Sequence, residues 1–254
     1  MERTQFPSLK GRTVVVTGGA SGIGEALVRA FAGNGSNVAF LDLQEDAGNK
    51  LAAELSAGGA NAKFLQCDLT DIEAVRAAMA DVKAHFGPVG ALVNNAANDK
   101  RANFLDVSVE EFDWMMAVNL RHVFFAAQAV VPQMRELGYG SIINMTSGAW
   151  VRGIREMQAY STAKAAIVGF TNSLARQVGE FRIRVNALAP GMVITPRQRE
   201  LWYQDESKIA DGLKLQCIPE EIKVEDVANA CLFLAADDSR MITKQMLLIN
   251  GGLI

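Results

Sequence analysis

The stretch TGGASGIG, from Thr17 to Gly24, is the feature that most constrains the fold. It directly follows the apolar run Thr13–Thr17 and precedes EALVRAFAGNG, whose apolar residues recur at helical spacing. Glycines at such a strand-to-helix turn let the backbone turn tightly and come close to a ligand. The free N–H groups at the start of the helix favour a phosphate there. The stretch therefore predicts a dinucleotide-binding turn, with Gly18, Gly22 and Gly24 as its glycines.

Short apolar runs alternate with helical patterns along the rest of the chain. The seven candidate strands are Thr13–Thr17, Val38–Asp42, Lys63–Asp68, Ala91–Asn94, Ser141–Met145, Arg184–Leu188 and Met246–Ile249. Most are short and continuously apolar, as parallel strands buried on both faces are. Between them, Thr70–Glu73 and Ser108–Glu111 have the pattern of capping boxes that start helices. This order predicts a doubly wound α/β sheet with helices on both faces and ligands at the carboxyl ends of the strands.

Composition limits the remaining possibilities. The chain has 254 residues, half of them hydrophobic, and a formal net charge of −3. We expect a single domain over residues 1–254, with no basic surface for nucleic acid. Apolar stretches too short for a membrane span and the lack of an apolar leader favour the cytoplasm. Three widely spaced cysteines and two histidines predict neither a disulfide framework nor a metal site.

Asp42 ends the second candidate strand and is the predicted selector of the cofactor. A carboxylate there can accept hydrogen bonds from the adenosine ribose hydroxyls, and it would repel a 2′-phosphate. Its neighbour is Leu43, and the glycine turn offers Ala20 and Ser21 where a phosphate would need a cation. We therefore predict NAD rather than NADP.

Two further strand ends carry polar residues. Asp68 closes the third candidate strand, followed by Leu69, and both are expected along the adenine. Asn94 and Asn95 end the fourth strand in the motif NNAA. Asn94 has two open interpretations, a contact with the cofactor and a structural amide that bridges two strands.

Ser147, Tyr160 and Lys164 form the predicted chemical group. Ser147 follows the fifth candidate strand, and Tyr160 and Lys164 are four residues apart, which puts them on one face of a helix. A free phenol has a pKa of about 10, so little of the basic phenolate is present at neutral pH. A nearby ammonium and a positive nicotinamide would favour the phenolate. This group predicts removal of a proton from an alcohol by Tyr160 while the alcohol carbon gives hydride to NAD.

The combination of TGGASGIG, NNAA, Asn119 in MMAVNL, Ser147, YSTAK and the APG of Ala189–Gly191 resembles the short-chain dehydrogenases/reductases over essentially the whole chain. The resemblance implies a Rossmann fold whose seven strands lie in the order 3-2-1-4-5-6-7. It implies a dimer or tetramer built on the helices that carry Asn119 and Tyr160, and we expect a homotetramer.

The resemblance also implies roles for matching residues. Tyr160 would be the acid/base, Ser147 would orient the reacting oxygen, and Lys164 would contact the nicotinamide ribose and lower the pKa of Tyr160. Asn119 would hold a relay water. The positions expected to contact the cofactor are Gly18, Ser21, Gly22, Ile23, Gly24, Asp42, Asp68, Leu69, Asn94, Ala96, Tyr160, Lys164, Pro190, Val193 and Thr195.

The substrate cleft is expected between the segment after Ser147 and a lid over residues 192–220. The first carries Trp150, Arg152 and Arg155, and the second carries Arg197, Arg199 and Trp202. Arginine presents a planar fork that suits a carboxylate. At least two of the four arginines are expected to pair with acidic residues of the chain. The predicted substrate contacts are Ser147, Trp150, Arg152, Arg155, Tyr160, Arg197 and Trp202.

The arginines favour a sugar acid as substrate, oxidised at a secondary alcohol. Within the family, the sequence resembles sugar-acid dehydrogenases that act on 2-keto-3-deoxyfuconate or 2-keto-3-deoxyrhamnonate. The alternative is an aldose 1-dehydrogenase of the galactose type that gives a lactone. A remote alternative is a regulator that senses NAD without catalysis. Such proteins usually lack the Tyr or the Lys, and this chain has both.

Overall fold

Seven parallel strands form a single sheet in the order β3-β2-β1-β4-β5-β6-β7, as predicted. The computed structural model describes residues 5–254. The strands are β1 Thr13–Thr17, β2 Asn37–Asp42, β3 Ala62–Gln66, β4 Ala91–Asn94, β5 Gly140–Met145, β6 Ile183–Pro190 and β7 Met246–Ile249. The order reverses between β1 and β4, and such a switch point is where ligands bind in open α/β sheets.

The inner strands are buried along almost their whole length, whereas the edge strands β3 and β7 are partly exposed. This difference explains why continuous apolar runs located the inner strands well. The third strand ends at Gln66 rather than at the predicted Asp68. The Asp68 carboxylate accepts hydrogen bonds from the backbone N–H and the hydroxyl of Thr70, so the chain turns there towards the next helix.

The helices cover both faces of the sheet. They are α1 Gly22–Gly33, α2 Glu45–Ala57, α3 Ile72–Phe86, α4 Val109–Met116, α5 His122–Leu137, α6 Ala149–Arg152, α7 Gln158–Val178, α8 Pro196–Leu201, α9 Glu206–Leu213 and α10 Val224–Ala235. Leu27 and Phe31 of α1 share one core with Leu232 of α10. Met79 of α3 and Val130 of α5 belong to a second core on the other face.

The capping predictions met different outcomes. Ser108 caps α4, because its hydroxyl accepts a hydrogen bond from the backbone N–H of Glu111 at 3.1 Å. The cap of α3 is Asp71 rather than Thr70: its carboxylate accepts from the N–H groups of the second and third helical residues. Either residue type can cap a helix, and the Thr70 hydroxyl is already engaged with Asp68.

The helical run Val109–Leu137 is long and apolar enough to span a membrane by composition alone. It comprises α4, a π-helical turn over Ala117–Arg121, and α5. The run packs against α3 and α7, and 44% of its most apolar window is buried inside the domain. Much of its apolar character is therefore used in the core.

Candidate active site

One cavity of about 750 Å³ opens at the carboxyl ends of the central strands. Its cofactor side is lined by the glycine turn and the ends of β1, β2 and β4, and its substrate side by the segment after β5 and the lid. The predicted cofactor positions on its wall are Gly18, Ser21, Gly22, Ile23, Gly24, Asp42, Asp68, Leu69, Ala96, Tyr160, Lys164, Pro190, Val193 and Thr195.

The glycine turn is closely packed against neighbouring backbone. Gly18 has a φ of +65°, in the left-handed region that favours glycine. A Cβ on Gly24 would overlap the carbonyl oxygen of Gly18. The amide of Asn95 then fixes the turn, because its Nδ2 donates to the carbonyl oxygens of Thr17 and Gly18, each at 3.0 Å. The backbone can reach this shape only with glycine at both positions.

The same turn fits the phosphates of a dinucleotide. Helix α1 begins at Gly22, and the side chain of its N-cap residue, Ser21, makes no capping hydrogen bond. Its first residues, Gly22, Ile23 and Gly24, line the cavity. Unpaired N–H groups at a helix start bind anions, so this end of the cavity suits a pyrophosphate.

Asp42 fits the adenosine ribose. Its carboxylate is buried at the end of β2 and accepts hydrogen bonds from the backbone N–H groups of Ala20 at 2.9 Å and Gln44 at 3.1 Å. A third bond comes from the side-chain amide of Gln44 at 3.3 Å, and together they hold both oxygens in place at the cavity wall. An ionised carboxylate can accept about four hydrogen bonds, so one acceptor site remains for a ribose hydroxyl.

Asn94 was predicted either to contact the cofactor or to bridge strands, and the structure supports the bridge. Its side chain is 1% exposed and is absent from the cavity wall within residues 5–254. Its Nδ2 donates to Oδ1 of Asn144 at 2.9 Å, which joins β4 to β5. The side chain at this strand position points into the sheet packing, and its neighbour Asn95 lines the cavity instead.

Ser147, Tyr160 and Lys164 meet at the boundary between the two sides of the cavity. The Ser147 hydroxyl accepts a hydrogen bond from the N–H of Ala149 at 3.1 Å, and it lies close enough to Tyr160 to act on the phenol by hydrogen bonding. The Lys164 ammonium lies 5.5 Å from the centre of the Tyr160 ring and donates to the carbonyl oxygen of Met145 at 2.8 Å. The predicted group is therefore assembled in three dimensions.

The predicted lowering of the Tyr160 pKa is not found in the protein alone. Burial raises the pKa of Tyr160 to about 12, a hydrogen bond from Ser147 opposes this, and the negative charge of Asp99 adds to the rise. Burial also lowers the pKa of Lys164 to about 7, which weakens its positive charge. Removal of water therefore disfavours the charged form of both groups.

Asn119 does not line the cavity within the described residues. It lies in the π-helical turn and is fully buried. Its Nδ2 donates to the carbonyl oxygens of Asn98 and Met115, and its Oδ1 accepts from the N–H of Asn98. Because these partners occupy the amide, the Asn119 side chain fixes the loop after β4, and the relay water expected at Asn119 stays a prediction.

The substrate side differs from the prediction in three residues. Arg152 lines the cavity, but Trp150, Arg155 and Trp202 are not among the residues of its wall within the described chain. The Trp150 indole nitrogen is buried without a hydrogen-bond partner among the described residues. Arg155 is exposed in the turn after the short α6. Trp202 lies behind the wall, where its indole nitrogen donates to Asp99.

Two of the four arginines pair with acidic residues, as expected, but their partners are not the expected Glu156, Glu200 or Asp205. Arg197 lines the cavity and pairs with Asp99 at 2.7 Å. Arg199 pairs with Glu206 of α9. Arg152 and Arg155 form no ion pair within residues 5–254. On the cavity wall, Arg197 is therefore neutralised by Asp99, whereas Arg152 keeps an unpaired charge within the described residues.

Several wall residues carried no clear signal in the sequence. Gln198 of the lid segment and Leu253 and Ile254, which follow β7, all line the cavity. Leu253 and Ile254 follow the glycine pair after β7, and only the position of β7 at the sheet edge brings them to the cleft.

Known proteins resemble this chain over nearly its whole length. A family model described as Enoyl-(Acyl carrier protein) reductase matches residues 18–254. A probable galactose dehydrogenase of Rhizobium meliloti is 48% identical over 250 residues, which cover 98% of this chain and 97% of the relative. The D-xylose 1-dehydrogenase of Caulobacter vibrioides is 42% identical over 252 residues, covering 99% of each chain.

Solved structures give the same result. A blue fluorescent protein from a metagenomic library, crystallised in complex with NADPH, superimposes with a TM-score of 0.89 at 32% identity. The match covers 97% of this chain and 99% of that chain. This chain therefore belongs to the short-chain dehydrogenase/reductase family and is an oxidoreductase with a nicotinamide dinucleotide cofactor.

Proposed function

We propose that this enzyme oxidises an aldose at its anomeric carbon with NAD and releases a lactone. The observation that carries the proposal is the pairing of Arg197 with Asp99 on the substrate side. This pair removes a free cation from the cleft and leaves polar groups suited to sugar hydroxyls. The two relatives described above, named as a galactose and a xylose dehydrogenase, support the aldose reading over the sugar-acid reading.

In the proposed reaction, the phenolate oxygen of Tyr160 takes the proton of the anomeric hydroxyl. The Ser147 hydroxyl, held by the N–H of Ala149, donates a hydrogen bond to the same oxygen and orients it. Lys164 has three N–H donors, of which one goes to Met145, so two remain for the cofactor ribose and the tyrosine. A nicotinamide held beside Tyr160 and Lys164 would supply the acceptor for the hydride that leaves the anomeric carbon.

We propose NAD rather than NADP as the cofactor. Asp42 is held at the cavity wall by two backbone N–H groups and presents a carboxylate where a 2′-phosphate would lie. The Asp42 carboxylate and a 2′-phosphate are both negative and would repel each other, and burial strengthens the repulsion. Asp68 and Leu69 line the same end of the cavity and are proposed to flank the adenine.

A sugar acid remains a second candidate because of Arg152. Its side chain lines the cavity and has no ion-pair partner in the described part of the chain. A carboxylate bound there would be oxidised at a secondary alcohol elsewhere on the sugar. The remote alternative, a regulator without catalysis, predicts NAD binding without turnover of any sugar.

The assay compares D-galactose, D-xylose, D-galacturonate and a 2-keto-3-deoxy sugar acid, each with NAD and with NADP. We expect reduction of NAD by a neutral aldose, with appearance of the lactone by NMR. Turnover of the keto-deoxy acid alone would contradict the aldose proposal and support the second candidate. Reduction of NADP at the same rate as NAD would contradict the role of Asp42.

We propose a homotetramer in the cytoplasm as the working form. Helices α4 and α5 expose Phe112, Trp114 and Phe124, each more than two fifths exposed, on the run that also contributes to the core. An apolar face of this kind favours association between copies. Light scattering of the purified protein gives the mass directly, and a monomer at micromolar concentration would contradict this proposal.

A further inference from the structure

Asp99 lies where the loop after β4 meets the lid, and both its oxygens are bound by lid residues. Its Oδ1 accepts from Arg197 at 2.7 Å, and its Oδ2 accepts from Gln198 at 2.8 Å and from the Trp202 indole at 3.1 Å. Its side chain is 12% exposed, whereas that of Arg197 is 49% exposed. Three charge-assisted hydrogen bonds to one partly buried carboxylate make this the strongest polar junction between the two segments.

Both sides of this junction are fixed. Asn98, the residue before Asp99, is held through its N–H and carbonyl by the buried amide of Asn119. On the lid, Thr195 caps α8 by accepting from the N–H of Gln198. Arg101 lies over the Trp202 ring at 4.3 Å, a cation–π contact that adds a second link. The carboxylate therefore joins two ordered segments across the mouth of the cavity.

The junction also sets the charge of the cleft. Asp99, Arg197 and Gln198 line the same cavity as Tyr160, and the Asp99 charge acts on the Tyr160 hydroxyl. Burial alone would raise the Asp99 pKa, but hydrogen bonds from Gln198 and Arg197 bring it below its usual value, so the carboxylate stays ionised. An ionised Asp99 cancels the positive charge of Arg197 and would repel a carboxylate on the substrate.

We infer that Asp99 is a positioning residue that holds the lid closed and makes the cleft select uncharged sugars over sugar acids. This inference rests on the proposed function and names the feature that decides between its two candidates. The carboxylate lies on the cavity wall, so a neutral aldose meets a hydrogen-bond acceptor there, whereas a sugar acid meets like charge.

The test is Asp99→Asn, which keeps the size of the side chain and removes its charge. Arg197 then becomes an unpaired cation on the cavity wall. We expect kcat/KM for D-galactose to fall and the ratio of kcat/KM for D-galacturonate over D-galactose to rise, each by about 10-fold, the lower range for a bond to a charged group. The lower range applies because Arg197 is half exposed to solvent.

Two control variants separate this role from a general loss of structure. Arg197→Gln weakens the same junction but supplies no free cation, so it should lower activity without raising the ratio. Asp106→Asn removes a charge from an exposed site in the same loop region, outside the cavity wall. It should change neither kcat/KM for D-galactose nor the ratio between the two sugars. A ratio that stays unchanged in Asp99→Asn, or rises equally in Arg197→Gln, would overturn the selectivity inference.

A second readout needs no substrate. The lid contains tryptic sites at Arg199, Lys208 and Lys214. We expect faster cleavage there in Asp99→Asn than in the wild type or in Asp106→Asn, by mass spectrometry of timed digests. Equal cleavage rates would overturn the inference that Asp99 holds the lid closed. Wild-type protein that oxidises no aldose would contradict the proposed function, while the digest would still decide whether Asp99 closes the lid.

Discussion

The two sides of the cavity differ in what forms their walls: mainly backbone on the cofactor side and mainly side chains on the substrate side. The cofactor side is formed by backbone: a glycine turn, the start of α1 and short residues at strand ends. The substrate side is formed by long side chains from the segment after β5 and from the lid, and two of the lid side chains, Arg197 and Gln198, bind Asp99 of the loop after β4. Backbone shape is dictated by local sequence, whereas pairing of long side chains depends on which segments meet.

The difference has a consequence for tolerance to mutation. A change in the glycine turn must move the backbone of two adjacent strands, because Asn95 ties the turn to β4. A change in the lid can be absorbed by a different rotamer of an exposed arginine. We therefore expect effects on the cofactor side to be large and general, and effects on the substrate side to be smaller and specific to one substrate.

The largest expected effect lies where the two sides meet. Tyr160→Phe removes the hydroxyl that takes the substrate proton and should lower kcat by about 10³-fold, on the scale of a general acid/base. Cofactor affinity, measured by titration calorimetry, should stay nearly unchanged. Tyr203→Phe is the matched control, because Tyr203 also lines the cavity but on the lid side. Full activity of Tyr160→Phe would refute the assigned role.

The second effect is a loss of stability and of cofactor binding on the cofactor side. Gly24→Ala places a Cβ against the carbonyl oxygen of Gly18, and relief of this overlap should cost about 3 kcal/mol of stability, as overpacking does. Thermal unfolding and NAD binding should both report the loss.

The matched control for this substitution is Gly179→Ala. Gly179 has a helical φ of −62°, and nothing lies within 4 Å of its Cβ position. Alanine there should leave the Tm unchanged or raise it, because it restricts the unfolded chain. If Gly24→Ala also unfolded at the wild-type temperature, the turn would be less constrained than its packing indicates.

The third effect concerns the choice between NAD and NADP and leaves the fold of the cofactor side intact. Asp42→Ala removes the carboxylate that accepts from Ala20 and Gln44. We expect the preference for NAD over NADP, as a ratio of kcat/KM values, to fall by about 10- to 100-fold, the range for hydrogen bonds to charged groups. Asp46→Ala, an exposed acidic residue in the first turn of α2, is the control. A ratio equal to that of the wild type would mean that another group selects the cofactor.

The smallest effect is expected on the substrate side. Arg152→Gln removes an exposed cation from the cavity wall, and kcat/KM for a neutral aldose should change by less than about 3-fold, as for an exposed charge. Arg155→Gln, just outside the wall, provides the comparison. A loss of activity with D-galacturonate but not with D-galactose would show that Arg152 meets acid substrates. An equally large loss of activity with both sugars would contradict the expectation that substitutions on the substrate side have small, substrate-specific effects.

The sequence by itself determined the sheet and most of the cofactor side. Apolar runs located all seven strands within one to two residues, because strands buried on both faces must be continuously apolar. The glycines, Asp42 and the residues at the strand ends could be placed because local backbone shape and strand order follow from short segments. Tyr160 and Lys164 could be paired because four residues make about one helical turn.

Only the tertiary structure decided which polar side chains face the cavity. Asn94 and Asn95 are neighbours in sequence, yet one bridges two strands and the other lines the cavity. Trp202 and Arg197 belong to one lid segment, but both bind Asp99, 98 residues or more away in the chain. The charge of the substrate side results from that distant contact. A long side chain can reach many partners, and the packing of the lid against the loop after β4 selects one of them.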